Sequence, residues 1–467
     1  MKIRTLVSIA LSTAFAAVGM ASAANGDLDP TFGSGGIAMT GVSDAAFALG
    51  VPPVVQSDGK ILLCAGRSSN GASGSDFFVA RFNANGTLDA SFSFDGKVTI
   101  DFDGGSGSDQ CNAVAVQSDG KIVVAGTTTN GANNSDSGIA RLNADGTLDP
   151  TFGAGTGKTT VAFDLGGTNA DTGAGLAIQP DGKIVVVGWA NTASHGDDFA
   201  VVRLLSDGTR DSAFNLTGRV SVGFNLPGSA SMSDQADSVA IDSAGRVLIG
   251  GIAQNSGNAS NDDFAVVRLL PNGQLDADFD ADGRATLAFD LGLTGNDIAY
   301  RMILQRDGKI VLAGSADSSS SVTANDDVAI GRLLPDGSPD ASFGIGGKTV
   351  VPFDLLANGS DIAFGVLEQG NGKLVLAGAT QYDAASHFRG AIARLNPDGS
   401  LDNQFGVLGK KVLDFGFTNP SNQLMLGVAL QGTQIIASGL IVVPGTGAQD
   451  NIVVRLQNDL IFADGYE

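Results

Sequence analysis

A tight turn followed by an apolar strand returns seven times along the chain, as SDGKILLCAG, SDGKIVVAG, PDGKIVVVG, SAGRVLIGG, RDGKIVLAG, GNGKLVLAG and the degenerate QGTQIIASG. The turn glycines, Gly59, Gly120, Gly182, Gly245, Gly308, Gly372 and Gly432, stand 60 to 64 residues apart. A fixed period constrains a fold more than any local signal, because each unit must bury its apolar surface against its neighbours. Four strands fit within a unit. Strand a follows a glycine, as in GKVTIDF from Gly96, and strand b is short, as in AVAVQ from Ala113. A two-residue hairpin turn then leads to strand c, KIVVAG, and on to strand d, FAVVRL from Phe199. Strand a tends to alternate, which suits a half-exposed edge, whereas c and d are apolar on both faces and so belong inside. Seven such sets predict an all-β, seven-bladed β-propeller of four-stranded antiparallel blades, its ring closed by N- and C-terminal segments.

A second refrain, RLNADGTLDPTFG at Arg141 to Gly153, follows strand d. Its second half alone, GDLDPTFG at Gly26 to Gly33, opens the chain after its leader, and its first half alone, VVRLQ at Val453 to Gln457, closes the last unit. The combined pattern, the DGK-apolar-AG segment followed by D-x4-RL-x2-DG-x-LD-x2-FG, resembles the delta-60 repeat family of exported bacterial proteins over essentially the whole mature chain. The resemblance implies a propeller-type repeat and no biochemical role. The refrain reads as the joint from one blade's last strand to the next blade's first, with the seventh joint assembled from the two ends.

Two residues of the refrain recur seven times; six arginines are followed eight residues later by an aspartate, while Arg455 lacks a follower and Asp29 a leader. The two are the arginines Arg81, Arg141, Arg203, Arg268, Arg332, Arg394 and Arg455, and the aspartates Asp29, Asp89, Asp149, Asp211, Asp276, Asp340 and Asp402. A binding site usually breaks symmetry, so a residue used alike in every blade is expected to hold the blade. Each guanidinium is expected to fork onto its carboxylate or turn carbonyls, and Arg455 to close the ring on Asp29. The refrain's phenylalanine, from Phe32 to Phe405, is expected in the core between blades.

The first 23 residues carry Lys2 and Arg4, an apolar run and Ala21-Ser22-Ala23, the pattern of a secretory signal peptide. Residues 24–458 then form the propeller and 459–467 a tail that could sort, attach or pack. The expected location is periplasmic, cell-surface or extracellular. Without Lys2 and Arg4, 25 basic residues face 49 acidic ones, a net charge of −24. That argues against nucleic acid or anionic lipid as a partner, and no later stretch could span a bilayer as a helix. All acidic residues but Glu368 and Glu467 are aspartate, which favours turns over helices. Cys64 and Cys111 could pair, although buried or unpaired thiols are the plainer reading.

Function is expected on the face carrying the a–b and c–d loops. Symmetry breaks in two c–d loops, one with Trp189 and His195, the other with Tyr382, His387, Phe388 and Arg389; together they suggest an aromatic, polar patch for a carbohydrate or protein ligand. Aspartates precede strand d (Asp76, Asp136, Asp198, Asp263, Asp327, Asp450) and strand b (Asp44, Asp109, Asp171, Asp237, Asp297, Asp361), and suit either calcium or backbone capping. Asp278, Asp280 and Asp282 form D-x-D-x-D-G, but Phe289 stands where a helix-loop-helix calcium site needs glutamate. No paired-glutamate site, histidine cluster or nucleophile motif appears. The sequence therefore reads as a monomeric binding or surface-interaction module that requires no cofactor, with calcium as an option. It leans away from catalysis, the alternative being a secreted metal (calcium)-dependent hydrolase or lyase.

Overall fold

The computed structural model describes residues 24–458, apart from 42–44, 47–50, 69–73, 105–106, 131–133, 194–195, 225, 227–232, 256–260, 293–294, 319–324, 416–421 and 443–448. The leader, the tail, Asp44 and His195 therefore lie outside the described residues. Seven antiparallel sheets form seven blades. In the third blade the order from the axis outward is Gly166–Ile178, Ile184–Thr192, Gly196–Leu204 and Arg219–Val222. Strand b is thus innermost, c and d are the covered middle, and the four-residue strand a is the outer edge.

Strand a does not begin a blade. Lys158–Val161 pairs with Asn134–Leu142, so the refrain between them is a hairpin within the second blade, not a joint between blades. The blade is offset by one strand from the sequence period, because strand a folds back on the strand d that precedes it. Blade-to-blade passages run on the opposite face, from each outer strand to the next inner one. The same offset closes the ring: Ile37–Met39 becomes the outer strand of the last blade, against Gln449–Leu456.

The core lies between neighbouring sheets. Val185, Val187, Val201 and Phe214 of the third blade pack with Val247, Ile249 and Val267 of the fourth. The refrain's seven phenylalanines are all fully buried. Six refrain arginines donate from Nε to the aspartate eight residues on, at 2.6–2.9 Å, and Arg455 donates likewise to Asp29 across the two chain ends at 2.8 Å. Each guanidinium also lies 4.4–4.9 Å from the ring centre of the refrain phenylalanine. Its NH1 reaches the next blade's turn, as from Arg203 to the carbonyl of Pro271, and at the seam from Arg455 to Ala84. The arginine is therefore a strut that fixes its own hairpin and the neighbouring blade together.

A second set of struts joins the outer strands. Lys97, Lys158, Arg219, Arg284, Lys348 and Lys410 each donate to a backbone carbonyl of the preceding blade, those of Thr40, Asp101, Ala162, Gly223, Ala288 and Pro352. Cys64, on the second strand of the first blade, is disulfide-bonded to Cys111 on the inner strand of the second, with Cα atoms 5.7 Å apart. The sequence left that pairing open; the packing of adjacent blades brings the two together.

Candidate functional site

Six inner strands share one break of register against their second strand. The breaks fall between Cys111 and Ala113, Gly173 and Gly175, Ala236 and Ser238, Ala299 and Arg301, Ala363 and Gly365, and Met425 and Gly427. A bulge re-aims the extra residue out of the ladder. The extra residues are Asn112, Ala174, Asp237, Tyr300, Phe364 and Leu426, and no two are alike. The repeat, strict elsewhere, is free at this ring around the axis.

The ring is divided by chemistry. Phe364 and Leu426 join Leu440, with Tyr300 packed alongside, in an apolar cluster; the Tyr300 and Phe364 ring centres are 5.0 Å apart. The other side opens into a cavity of about 620 Å³ lined by Gln110, Asn112, Trp189, Asp237, Tyr300 and Arg301 among others. Residues at the starts of inner strands and the ends of second strands line it, which places it on the face of the a–b and c–d loops. A cavity of about 740 Å³ on the opposite face includes Lys121, Arg141 and Gln179. Its cations are committed to Asp149, so it is the groove between struts.

Asp237, Tyr300 and Arg301 lie deep within the ring, yet the channel leaves each partly open to water. Burial pushes the Asp237 carboxyl up to about 7, with Arg301 acting in the opposite sense. Burial, then the Asp237 charge, raises the Tyr300 hydroxyl to about 12, and burial lowers Arg301 to about 10. Near neutral pH the group is a carboxyl divided between its two forms, a protonated phenol and a guanidinium cation. It can take up a proton, release a proton and hold an anion within one cavity.

Of the patch expected from sequence, Trp189 lines this cavity and His195 lies outside the described residues. Tyr382, His387 and Arg389 form a separate cluster in the sixth blade. There Asp383 holds His387 Nδ1 at 2.7 Å, Arg389 lies 4.8 Å from the Tyr382 ring centre, and Arg389 pairs with Asp414. Asp237 was grouped with the aspartates leading into strand b, but Asp234 fills that place. Asp234 accepts from the backbone of Phe224 and Gln254, just as Asp171 accepts from Phe163. The sequence pointed to loops and so left out Tyr300 and Arg301, and it offered Asp237 only as an aspartate leading into strand b. The signal was available: the residue eight before the turn glycine differs in each of units two to six.

Asp278, Asp280 and Asp282 lie on the fourth blade's refrain hairpin, with Asp280 at φ 46°. Among the described residues the carboxylates that converge are others: Asp76, Asp101 and Asp109, whose ligand oxygens all lie within 4.8 Å of one another. Their sequence neighbours Ser75 and Ser108 line the cavity, so a cation held there would brace its wall. The leaning away from catalysis is thereby overturned. It rested on finding no convergent polar set, and the fold assembles two, from residues far apart in sequence.

No curated protein sequence matches the chain. The family model described as "Domain of unknown function (DUF5122) beta-propeller" matches residues 56–92, 117–152, 179–214, 245–279, 305–343 and 369–405. These segments carry the turn, strands c and d and the refrain, so DUF5122 replaces the delta-60 repeat as the family they point to. Among solved structures, a protein of unknown function from Dyadobacter fermentans is 12% identical, with TM-score 0.46, covering 93% of this chain and 97% of its own. The polysaccharide lyase Uly1 is 10% identical, with TM-score 0.50, covering 90% and 98%. At these identities the likeness is one of fold.

Proposed function

We propose that this propeller, six of whose repeats match the DUF5122 β-propeller model, is an exported carbohydrate-active enzyme that cleaves an acidic polysaccharide by elimination at the channel mouth. The observation that carries this reading is the meeting of Asp237, Tyr300 and Arg301 on neighbouring inner strands beside Trp189. Glycoside hydrolysis ordinarily needs two carboxyl groups flanking the bond. The described lining of this cavity offers one, Asp237, together with a phenol and a guanidinium, which is the set that elimination needs.

Arg301 would hold the carboxylate of a uronate residue and make its α-proton more acidic. Asp237, in its ionised form, would take that proton, and Tyr300 would donate its own to the departing glycosidic oxygen. Trp189 offers a face on which a sugar ring stacks. That a propeller of this shape occurs in a polysaccharide lyase agrees with the reading. A cation at Asp76, Asp101 and Asp109 would be held by oxygen ligands alone, which suits calcium, and would hold the cavity wall in place rather than touch the sugar.

The test is a panel of uronate-containing and neutral polysaccharides, followed by ultraviolet absorbance of the unsaturated product and by reducing ends. Elimination yields both signals. Reducing ends without the absorbance would make the enzyme a hydrolase. Neither signal, with polysaccharide still bound, would return the protein to a binding role.

A further inference from the structure

The aspartates that lead into strands b and d meet at the junctions between blades, on the face that carries the cavity. At the second junction burial, then the charges of Asp171 and Asp164, raise the Asp136 carboxyl; at the fourth burial, then the charges of Asp263 and Asp290, raise that of Asp297. Asp327, Asp354 and Asp361 repeat the arrangement at the fifth, with Ser318 and Thr380 alongside. Asp76, Asp101, Asp103 and Asp109 form the first.

One oxygen of each buried carboxylate leading into strand b has a structural task. Asp171 accepts from Phe163 N, Asp297 from Phe289 N and Asp361 from Phe353 N, each tying the start of one blade to the end of the last. At the first junction Asp109 Oδ1 accepts from Thr128, so that junction stands on the convergence of Asp76, Asp101 and Asp109; at the second and fourth the other oxygen has no such task. Oδ1 of Asp171 and of Asp297, in side chains with no exposed surface, has no hydrogen-bond partner among the described residues. Across each junction the same is true of Asp136 Oδ1 and Asp263 Oδ1. Buried carboxylate oxygens without donors, set among like charges, are costly unless something positive lies between them.

The remaining junctions show what happens otherwise. At the sixth, Arg389 replaces the strand-d aspartate and pairs with Asp414, and Gln423 replaces the second aspartate. Both acids are lost together where the protein supplies its own cation. At the third, Ser221 donates to Asp198, while both oxygens of Asp234 take backbone donors. At the seam Thr40 donates to Asp450.

We propose that the first, second, fourth and fifth blade junctions are divalent-cation sites that take calcium, each bridging the third strand of one blade to the inner strand of the next. The ligands are all hard oxygens, and their spread over two blades gives the loose geometry calcium accepts and magnesium does not. The inference does not rest on the lyase reading. Calcium binding without cleavage removes that reading alone, and cleavage without calcium binding removes this one.

The full mature chain, stripped with chelator, is dialysed against calcium at about 1 mM, the range of extracellular modules, and bound metal is counted by elemental analysis. About four calcium ions per chain are expected, with a rise in Tm on calcium addition. Asp263→Asn with Asp297→Asn should lower the count by one and keep the rest, whereas Asp414→Asn should leave it unchanged. Folded wild-type protein that binds no calcium, or a double variant that keeps the full count, overturns the proposal. In the first case the paired carboxyls share protons instead.

Discussion

Arg203 touches Asp211, the ring of Phe214 and the carbonyl of Pro271 at once, so its replacement exposes three partners. Arg203→Ala is expected to lower stability by about 3 kcal/mol, read by urea unfolding, because the buried aspartate is left with only the more distant Lys183 as its cation. Arg203→Lys should recover little, since an ammonium cannot form the fork. The same contacts hold several refrain aspartates below their ordinary range; the hydrogen bonds of Ser342 and the Arg332 charge outweigh burial and bring Asp340 to about 2. A depressed carboxyl contributes stability that is complete above the unfolded value near 4 and lost as pH falls toward 2, so Tm should drop through that window. At the channel the sign reverses. Asp237→Asn should cost roughly 10²- to 10⁴-fold in turnover, and the wild-type rate should rise with pH through about 7 as the base ionises. Arginine and aspartate were legible in sequence as struts because seven copies agree. Asp237 was legible only as a leading aspartate, because a bulge changes which way one residue points and its sole trace is a position that varies from unit to unit.

The inner strand shows how much one element can carry. Its first residues tie blade to blade, its bulge faces the cavity, and its last residue enters the hairpin turn. In the second blade it also holds Cys111, bonded to Cys64 across a separation of 47 residues. Closing a loop of that length restricts the unfolded chain by about 4 kcal/mol, so a double Cys64→Ala, Cys111→Ala variant should melt well below the wild type under identical conditions. Pairing of this kind is set by how blades pack, and no strand pattern reveals it. The strand order itself was half legible: alternation identified strand a as an edge, but not that the edge belongs to the preceding blade. Acidic junctions give a second expectation at this scale. Burial raises Asp297 to about 7 and Asp263 to about 6, so in chelator the protein should lose stability as pH rises from about 4 to 7. Calcium should remove most of that slope.

For the whole molecule, a net charge of −22 surrounds a cavity whose described lining contains one arginine and one aspartate. An anionic polysaccharide must cross a repelling field to reach Arg301, and salt screens that field over about 10 Å at 0.1 M. KM for an acidic substrate is therefore expected to fall as ionic strength rises from low values, in a steady-state series at constant pH. The last blade is the one whose outer strand no covalent hairpin joins to its neighbour. Ile37 occupies the place where six other outer strands carry lysine or arginine, and Lys411 bonds Asp27 there instead. Closure rests on three residues of strand pairing, the Arg455 strut, the Lys97 bond to the Thr40 carbonyl, and backbone bonds such as Gly26 to Gln457 and Asp29 to Arg455. Since the first strand of the chain waits for the last before it has a partner, no truncated chain can complete the structure. Closure thus works as a check on length: a nascent chain that stops short keeps an open strand edge at both ends, visible to proteases, and only a finished one becomes a ring.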